Sequence, residues 1–201
     1  MTTLRRRPKH DPKESEQEIL KAAEQFLKER PFRELNVDEV MRRTGLKRPA
    51  FYVHFRDKHD LLLRLPQNVS KELFNTAYRW LGGTNPQIDL EQALVDSVNV
   101  YMQHGRLLKA FVEAASRDER VDSVYRAIIH DFINAAAQHI REEKEAGNIK
   151  KNLDTDETAK ALIWLEERYV SEVFGHSAEV KPEVVIQVLQ NIWISTIYGT
   201  H

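Results

Sequence analysis

No cysteine occurs among the 201 residues of the chain, which excludes a disulfide framework, a thiolate zinc site and a cysteine nucleophile together. No apolar run approaches the roughly 20 residues needed to span a bilayer. The first residues, Met1-Thr2-Thr3-Leu4-Arg5-Arg6-Arg7, pass into charge and proline without an apolar h-region. Secretion and membrane anchoring are therefore not expected, and a reducing cytoplasm is the plain inference. Alternating apolar and polar positions of useful length are also missing, so a sheet is not expected. With 41% hydrophobic and 30% charged residues the composition is that of a globular protein without disordered bulk, large enough for one large domain or two small ones.

Net charge is nearly absent too, at −1, and by itself excludes no partner. Its distribution is uneven. Residues 1–60 hold 15 Lys and Arg against 11 Asp and Glu, and the remaining 141 hold 15 against 20. The front of the chain is electropositive, as counterion release at a phosphate backbone favours.

The most informative stretch is NVDEVMRRTGLKRPAFYVHFRDKHDLL, Asn36 to Leu62. Asn36 and Glu39 have capping-box spacing, and Val37 and Val40 give the helix that follows one apolar side. Thr44-Gly45-Leu46 breaks it, with Gly45 able to take the left-handed backbone of a sharp turn. Arg48-Pro49-Ala50 restarts helix with proline in the first turn. Phe51 and Phe55, four apart, anchor this second helix inward, leaving Lys47, Arg48, Tyr52 and His54 as donors to phosphates and base edges. Two short helices joined by a tight turn, with a third starting at once, is the layout of a DNA reader.

An all-α chain of about nine helices is expected, the first four or so forming the DNA-reading head. The arm Met1–Lys13 precedes a helix capped by Ser15 and Glu18, striped by Ile19, Ala22, Ala23, Phe26 and Leu27 and ending near Arg30-Pro31. Asp57 is placed to cap a long helix from Lys58 to Gly82-Gly83, kinked or broken at Pro66. Asp89 and Gln92 open a further helix toward Gly105, followed by a short piece, Leu107–Ala115. Ser116 with Glu119 caps another that ends at Gly147, carrying Val121, Val124, Tyr125, Ile128, Ile129, Phe132 and Ile140. Asp154 with Glu157 opens one running to Gly175, and Pro182 starts the last, which stops at Gly199. The division expected is 1–14 as a basic arm, 15–60 as the helix-turn-helix domain and 61–201 as a helical ligand-binding and dimerisation domain.

On the last helix Val184, Val185, Ile186, Val188, Leu189, Ile192, Trp193 and Ile197 span roughly 220° at 100° per residue, against the ~100° stripe of one-sided packing. The surplus face is either a twofold self-association surface or the mark of a centrally buried helix. Val184, Val185, Val188, Leu189, Ile192 and Trp193 are the candidate dimer residues.

Gly45-Leu46-Lys47-Arg48-Pro49-Ala50-Phe51-Tyr52-Val53-His54-Phe55, followed by Lys58 and Leu61-Leu62, resembles the signature of the tetracycline-repressor-like (TetR) transcriptional regulators. The Arg-Pro-x-Phe-Tyr core and the closing Ile192-Trp193-Ile194-Ser195-Thr196-Ile197-Tyr198-Gly199 are most similar to the family's EthR branch. The resemblance implies a homodimeric repressor of a palindromic operator, released by a small, lipophilic inducer held in the C-terminal domain. It places Lys47 and Arg48 at the front of the recognition helix, makes Tyr52 a phosphate contact, and sets Lys58 beside the DNA backbone. Lys47 stands where the family commonly has Ser or Thr, and Ala50 where it commonly has Thr. The recognition helix thus lacks its usual side-chain cap.

Arg5, Arg6 and Arg7 could follow the minor groove, and Arg42 and Arg43 could meet phosphate or complement the dipole of their own helix. With Thr44, Lys47, Arg48, Pro49, Ala50, Tyr52, His54 and Lys58 they make up the candidate DNA surface. Candidate ligand contacts are Asn99, Tyr101, Phe111, Tyr125, Phe132, Trp164 and Glu166. Glu166 projects into an apolar arc, so it is either a ligand contact or a carboxylate satisfied by an arginine, in the core or across a dimer. His139 reads as a hydrogen-bonded core histidine rather than a pH sensor. No cofactor and no metal are expected. The rival readings are a metal-dependent all-α phosphohydrolase, prompted by His10-Asp11, His59-Asp60 and His130-Asp131 but without HExxH spacing, and a DNA-binding module that answers no effector.

Overall fold

The computed structural model describes residues 11–65, 67–149, 152–176 and 180–199. Nine α-helices and one 3-10 turn occur among them, with no strand. Two compact units divide at Leu65-Pro66. None of these helices is long and apolar enough to cross a membrane. Arg5, Arg6 and Arg7 lie outside the described residues.

The first unit contains α1 (Pro12–Glu29), the 3-10 turn Phe32–Glu34, α2 (Val37–Thr44), α3 (Arg48–His54) and α4 (Lys58–Arg64). The expected stripe of α1 is its buried face: Ile19, Ala22, Ala23, Phe26 and Leu27. The helix starts a turn earlier than its sequence cap suggests. Asp11 accepts from Lys13 N, Pro12 takes the first turn, and Ser15, buried inside the helix, donates back to the Asp11 carbonyl. Asn36 does cap α2 through the Glu39 amide, but the reciprocal half of the box is missing, because the Glu39 carboxylate is taken by Arg42. Gly45 ends α2 at φ 70 with open space around a would-be Cβ, so its need is conformational and not steric.

Phe51 and Phe55 are fully buried, their rings 5.3 Å apart, and Phe26, Val40, Leu61 and Leu62 are fully buried in the same unit. Each such side chain contributes about 1.5–3 kcal/mol by burial. The long helix expected from Lys58 is broken rather than kinked, and its first part, α4, buries Leu61 and Leu62 in this unit. That part ends at Arg64, and the next helix begins at Gln67.

The second unit consists of α5 (Gln67–Leu81), α6 (Pro86–Ala115), α7 (Glu119–Glu145), α8 (Thr155–Gly175) and α9 (Pro182–Ile197). The 30-residue α6 is its central pillar, packing against the other four. It passes straight through Gly105, which had been expected to stop it. A Cβ at Gly105 would lie 2.5 Å from the Phe174 carbonyl oxygen, so this glycine serves a close approach of α6 and α8 and does not end a helix. The separate piece Leu107–Ala115 is therefore the end of α6. Ser116 closes α6, donating to the Glu113 carbonyl, and the cap of α7 is Asp118. Asp89 likewise sits within the first turn of α6, accepting from Asn85 N, and is not its first residue. Asp154 caps α8 through the Glu157 amide, and Pro182 opens α9, as their spacing predicts.

Along α9 the positions Val185, Leu189, Trp193 and Ile197, four apart, are buried in the unit's own core, whereas Val184 and Val188 are 49% and 38% exposed. Three of the six expected dimer residues, Val185, Leu189 and Trp193, are thus unavailable to a partner. The wide apolar arc splits into an inner half used within the protomer and an outer half left facing solvent.

Candidate nucleic-acid interface and ligand cavity

The outward side of α3 presents Lys47, Arg48, Pro49, Tyr52 and Val53. Lys47 takes the N-cap position with its side chain making no capping bond, which leaves the ammonium exposed. Arg48 is held on two sides: Nη1 donates to both Asp38 oxygens at 2.8 and 2.7 Å, and Nη2 donates to the Tyr52 hydroxyl at 3.0 Å. Its guanidinium also lies 5.8 Å from the Tyr52 ring centroid. The Tyr52 ring packs edge-on to the buried Phe51, so a core residue sets the angle of the exposed cluster. Val53, 75% exposed, was not among the sequence candidates. An apolar side chain with so much free surface could meet a thymine methyl if this helix entered a major groove, and only its place opposite Phe51 and Phe55 could have signalled it.

Other candidates turn out to hold the unit together. Arg43 is only 21% exposed; it donates to Glu29 on α1 at 2.7 Å and lies over the Phe26 ring at 5.2 Å. It is a clamp between α1 and α2, not a free phosphate donor. Thr44 spends its hydroxyl on the turn, donating to the Met41 carbonyl and accepting from Leu46 N. Lys58 donates to the Leu35 carbonyl at 3.1 Å and covers the Phe32 ring at 4.8 Å, pinning α4 to the loop before α2. His54 and Ala50 are half-buried, with His54 at the C-terminal end of α3 beside Phe55. Arg42 stays 72% exposed, folded onto Glu39 on its own helix, an exposed pair that a phosphate can displace at little cost. His59, of the His-Asp pair beside this turn, packs edge-on to Phe32 at 5.3 Å, and Asp60 accepts from Arg56 N.

The second unit contains a cavity of about 130 Å³ walled by all five of its helices. Tyr101, Phe111, Tyr125, Phe132 and Glu166 line it as expected; Asn99 and Trp164 do not. Asn99 faces outward on α6, since the inner positions are taken by Ser97, Val98 and Tyr101. Trp164 stands behind the wall, its ring 6.0 Å from that of Tyr125. Trp80, Trp193, Ser97 and Glu167 line the cavity without having been foreseen. Trp193 faces inward because it shares the four-residue repeat of α9 with Val185 and Leu189.

Polar groups are few here. The Ser97 hydroxyl donates to Glu166 Oε1 at 2.8 Å. Burial pushes the Glu166 carboxyl up to about 7, with the hydrogen bonds of Ser97 and the nearby Trp193 indole working against it. Trp193 Nε1 itself completes no hydrogen bond of good geometry. Glu167 is also raised by burial, opposed by its hydrogen bond with Tyr125, and burial lifts the Tyr101 and Tyr125 hydroxyls far above neutrality. His139 is buried edge-on to Trp80 at 4.5 Å and held low by burial. Its Nε2 has no hydrogen-bond partner, so it is a neutral core histidine but not the hydrogen-bonded one expected.

Comparison with known proteins agrees with this arrangement. Residues 19–65 match the tetR family of bacterial regulatory proteins, and residues 90–199, more than half the chain, match the C-terminal domain of the transcriptional regulator EthR. The HTH-type transcriptional regulator EthR of Mycobacterium tuberculosis is 28% identical over 198 residues, covering 96% of this chain and 90% of that protein. The HTH-type transcriptional repressor BepR of Brucella suis is 26% identical over 202 residues, covering 96% and 86%. Among solved structures, NalD, the secondary repressor of the MexAB-OprM multidrug efflux pump in Pseudomonas aeruginosa, superposes with a TM-score of 0.77 at 16% identity, over 95% of this chain and all of that one. The family's members are transcriptional regulators and not enzymes, which sets the phosphohydrolase reading aside. The chain belongs to the TetR family of helix-turn-helix transcriptional regulators, in its EthR branch.

Proposed function

We propose that the protein is a repressor that binds a palindromic operator as a homodimer in the bacterial cytoplasm and leaves it when a small lipophilic inducer fills the cavity. The observation that carries this reading is the division of α3 and its two cap residues into a buried side, Phe51 and Phe55, and an exposed side, Lys47, Arg48, Tyr52 and Val53. A short helix with donors and one apolar side chain on its free side suits the major groove, where hydrogen bonds and methyl contacts discriminate bases. Naming of relatives as repressors supports the direction of regulation.

Dimerisation fits the outer half of α9, where Val184 and Val188 are exposed, together with Leu165 of the adjoining α8 at 40% exposure. A twofold pair would present two recognition helices to successive major grooves. Inducer in the cavity would favour the dimer state whose heads are wrongly spaced, and affinity for DNA would fall by the ligand's preference for that state.

The test is selection of bound fragments from genomic DNA by the full-length protein, followed by titration of a selected duplex with increasing salt. A selected sequence with twofold symmetry, bound by two copies per site or a multiple of two, is the expected result. Binding without sequence preference would refute the operator reading, and DNA affinity that no small molecule alters would favour a module without effector response.

A further inference from the structure

The charge pattern of the cavity is one-sided. Two carboxyl groups, Glu166 and Glu167, stand at successive positions of α8 and both line it, while no described lysine, arginine or histidine does. The hydroxyl partners of the two carboxyls are neutral, Ser97 for Glu166 and Tyr125 for Glu167. Arg168, the nearest cation in sequence, points to the surface, where it pairs with Glu172 at 3.0 Å. A carboxylate kept in an apolar setting for structural reasons ordinarily has a cation beside it, since an unpaired buried charge is costly. Here none lines the cavity, and Arg168 acts on Glu167 only at a distance.

The rest of the wall suits a cation with an apolar body. Tyr125 lies within a chain of aromatic rings, 6.4 Å from Phe111 and 6.0 Å from Trp164, and Trp80 and Trp193 meet edge-on at 5.6 Å. Such faces attract ammonium groups, the more so when desolvated. Leu90, Leu94 and Ile129 complete the cavity with alkyl surface.

We propose that the inducer cavity recognises a protonated amine on an apolar body, with the ammonium seated against Glu166 and Glu167 and the apolar part against the aromatic and aliphatic wall. This rests on the reading of the cavity as an inducer site. It commits that reading to a cation, which an apolar cavity alone would not.

Proton linkage follows. The polar and titratable groups that share the cavity with Glu166 are Ser97 and Tyr101 from α6, Tyr125 from α7, Trp193 from α9, Trp80 from α5 with His139 behind it, and Glu167 on its own helix, with Arg168 acting on Glu167 from the surface. Both tyrosines stay neutral at any ordinary pH, and His139 is held neutral by burial. In the empty cavity near neutrality Glu166 is partly protonated. An arriving ammonium favours the ionised carboxylate, so binding releases a proton and tightens as pH rises through about 7.

The experiment uses the full-length protein and three probes of matched size: 4-phenylbutylamine, 4-phenylbutan-1-ol and 4-phenylbutanoate. Calorimetric titration at pH 8 is expected to show the amine binding roughly ten-fold or more tighter than the alcohol, with the carboxylate weakest. At pH 6 the amine should weaken several-fold while the alcohol is unchanged. Glu166→Gln should bring the amine close to the alcohol without altering the alcohol. Glu167→Gln and the pH profile of the unmodified protein keep the test open should the first variant not fold. An amine that binds no tighter than the alcohol, or a preference that survives both substitutions, overturns the proposal. If the amine binds selectively but leaves the protein on its selected duplex, inducer release fails and amine recognition stands. If the alcohol releases the duplex and the amine does not, the reverse holds.

Discussion

Arg48 Nη1 donates to both carboxylate oxygens of Asp38, at 2.8 and 2.7 Å, so the leading cation of the recognition helix is already engaged before any DNA arrives. Both side chains are more than half exposed, and a pair of this kind contributes little to stability. On the proposed reading of α3 as the DNA-facing helix its consequence lies in binding, where Asp38 places a negative charge beside the phosphates. Asp38→Asn is expected to tighten binding to every duplex by a few-fold at low salt, about 0.5–1 kcal/mol, and to narrow the gap between operator and random DNA. Fluorescence anisotropy on both duplexes checks this. Uniformly weaker binding would instead make Asp38 a positioner of Arg48.

Tyr52 supports Arg48 from the other side, through its hydroxyl and the face of its ring. Replacing Tyr52 with alanine is expected to weaken binding to all duplexes by roughly ten-fold, the behaviour of a backbone contact. Arg48→Ala should additionally erase preference at one or two base positions of each half-site. Equal losses on operator and random DNA for Arg48→Ala would count against base reading by this residue.

Much of the fold was legible because it is written in local chemistry. Asn36, Asp57 and Asp154 cap helices where their spacing says, and Gly45 turns the chain in the one backbone region that favours it. Errors arose where a residue's role depends on a distant neighbour. Gly105 reads as a stop because nothing nearby in sequence shows that Phe174 will lie against it. Arg43 reads as a phosphate or helix-dipole partner because Glu29, its actual partner, is fourteen residues away on another helix. The cavity is half visible: Glu166 stands out as a carboxylate in an apolar arc, whereas Glu167, one residue on, does not, since its partner Tyr125 lies on another helix. Trp193 reads as an interface residue because an apolar arc of that width does not say which half faces home.

Glu166 also sets a pH dependence of stability. Its carboxyl is raised from 4.5 to about 7 in the folded protein, so between those values the folded state holds a proton that the unfolded chain has released. Stability therefore falls as pH rises from about 4.5 to 7 and then levels off, by at most about 3 kcal/mol from this group. Glu167 acts in the same direction. Glu166→Gln stays neutral throughout, so its stability should decline less over that window and exceed that of the unmodified protein at pH 8. Urea denaturation at pH 5, 6, 7 and 8 gives the two slopes. Parallel slopes would mean that Glu166 is ionised throughout.

The two halves of the α9 arc call for opposite outcomes from neighbouring substitutions. Val188 is 38% exposed and Leu189 fully buried, although they are adjacent. If the outer half joins two copies, Val188→Asp, with or without Val184→Asp, places charges in an apolar interface. It should shift the protein from dimer to monomer while leaving the helical content of each protomer intact. Leu189→Ala removes buried methyl groups from the protomer's own core instead and should destabilise it by about 2–5 kcal/mol. Sedimentation equilibrium reads the first effect and thermal unfolding the second. The monomeric variant should also bind a two-half-site duplex far more weakly than the parent while still holding a single half-site, because only pairing lets one head's docking position the other. A Val188→Asp protein that stays dimeric would move the interface elsewhere and leave the exposed valines without a partner in this assembly.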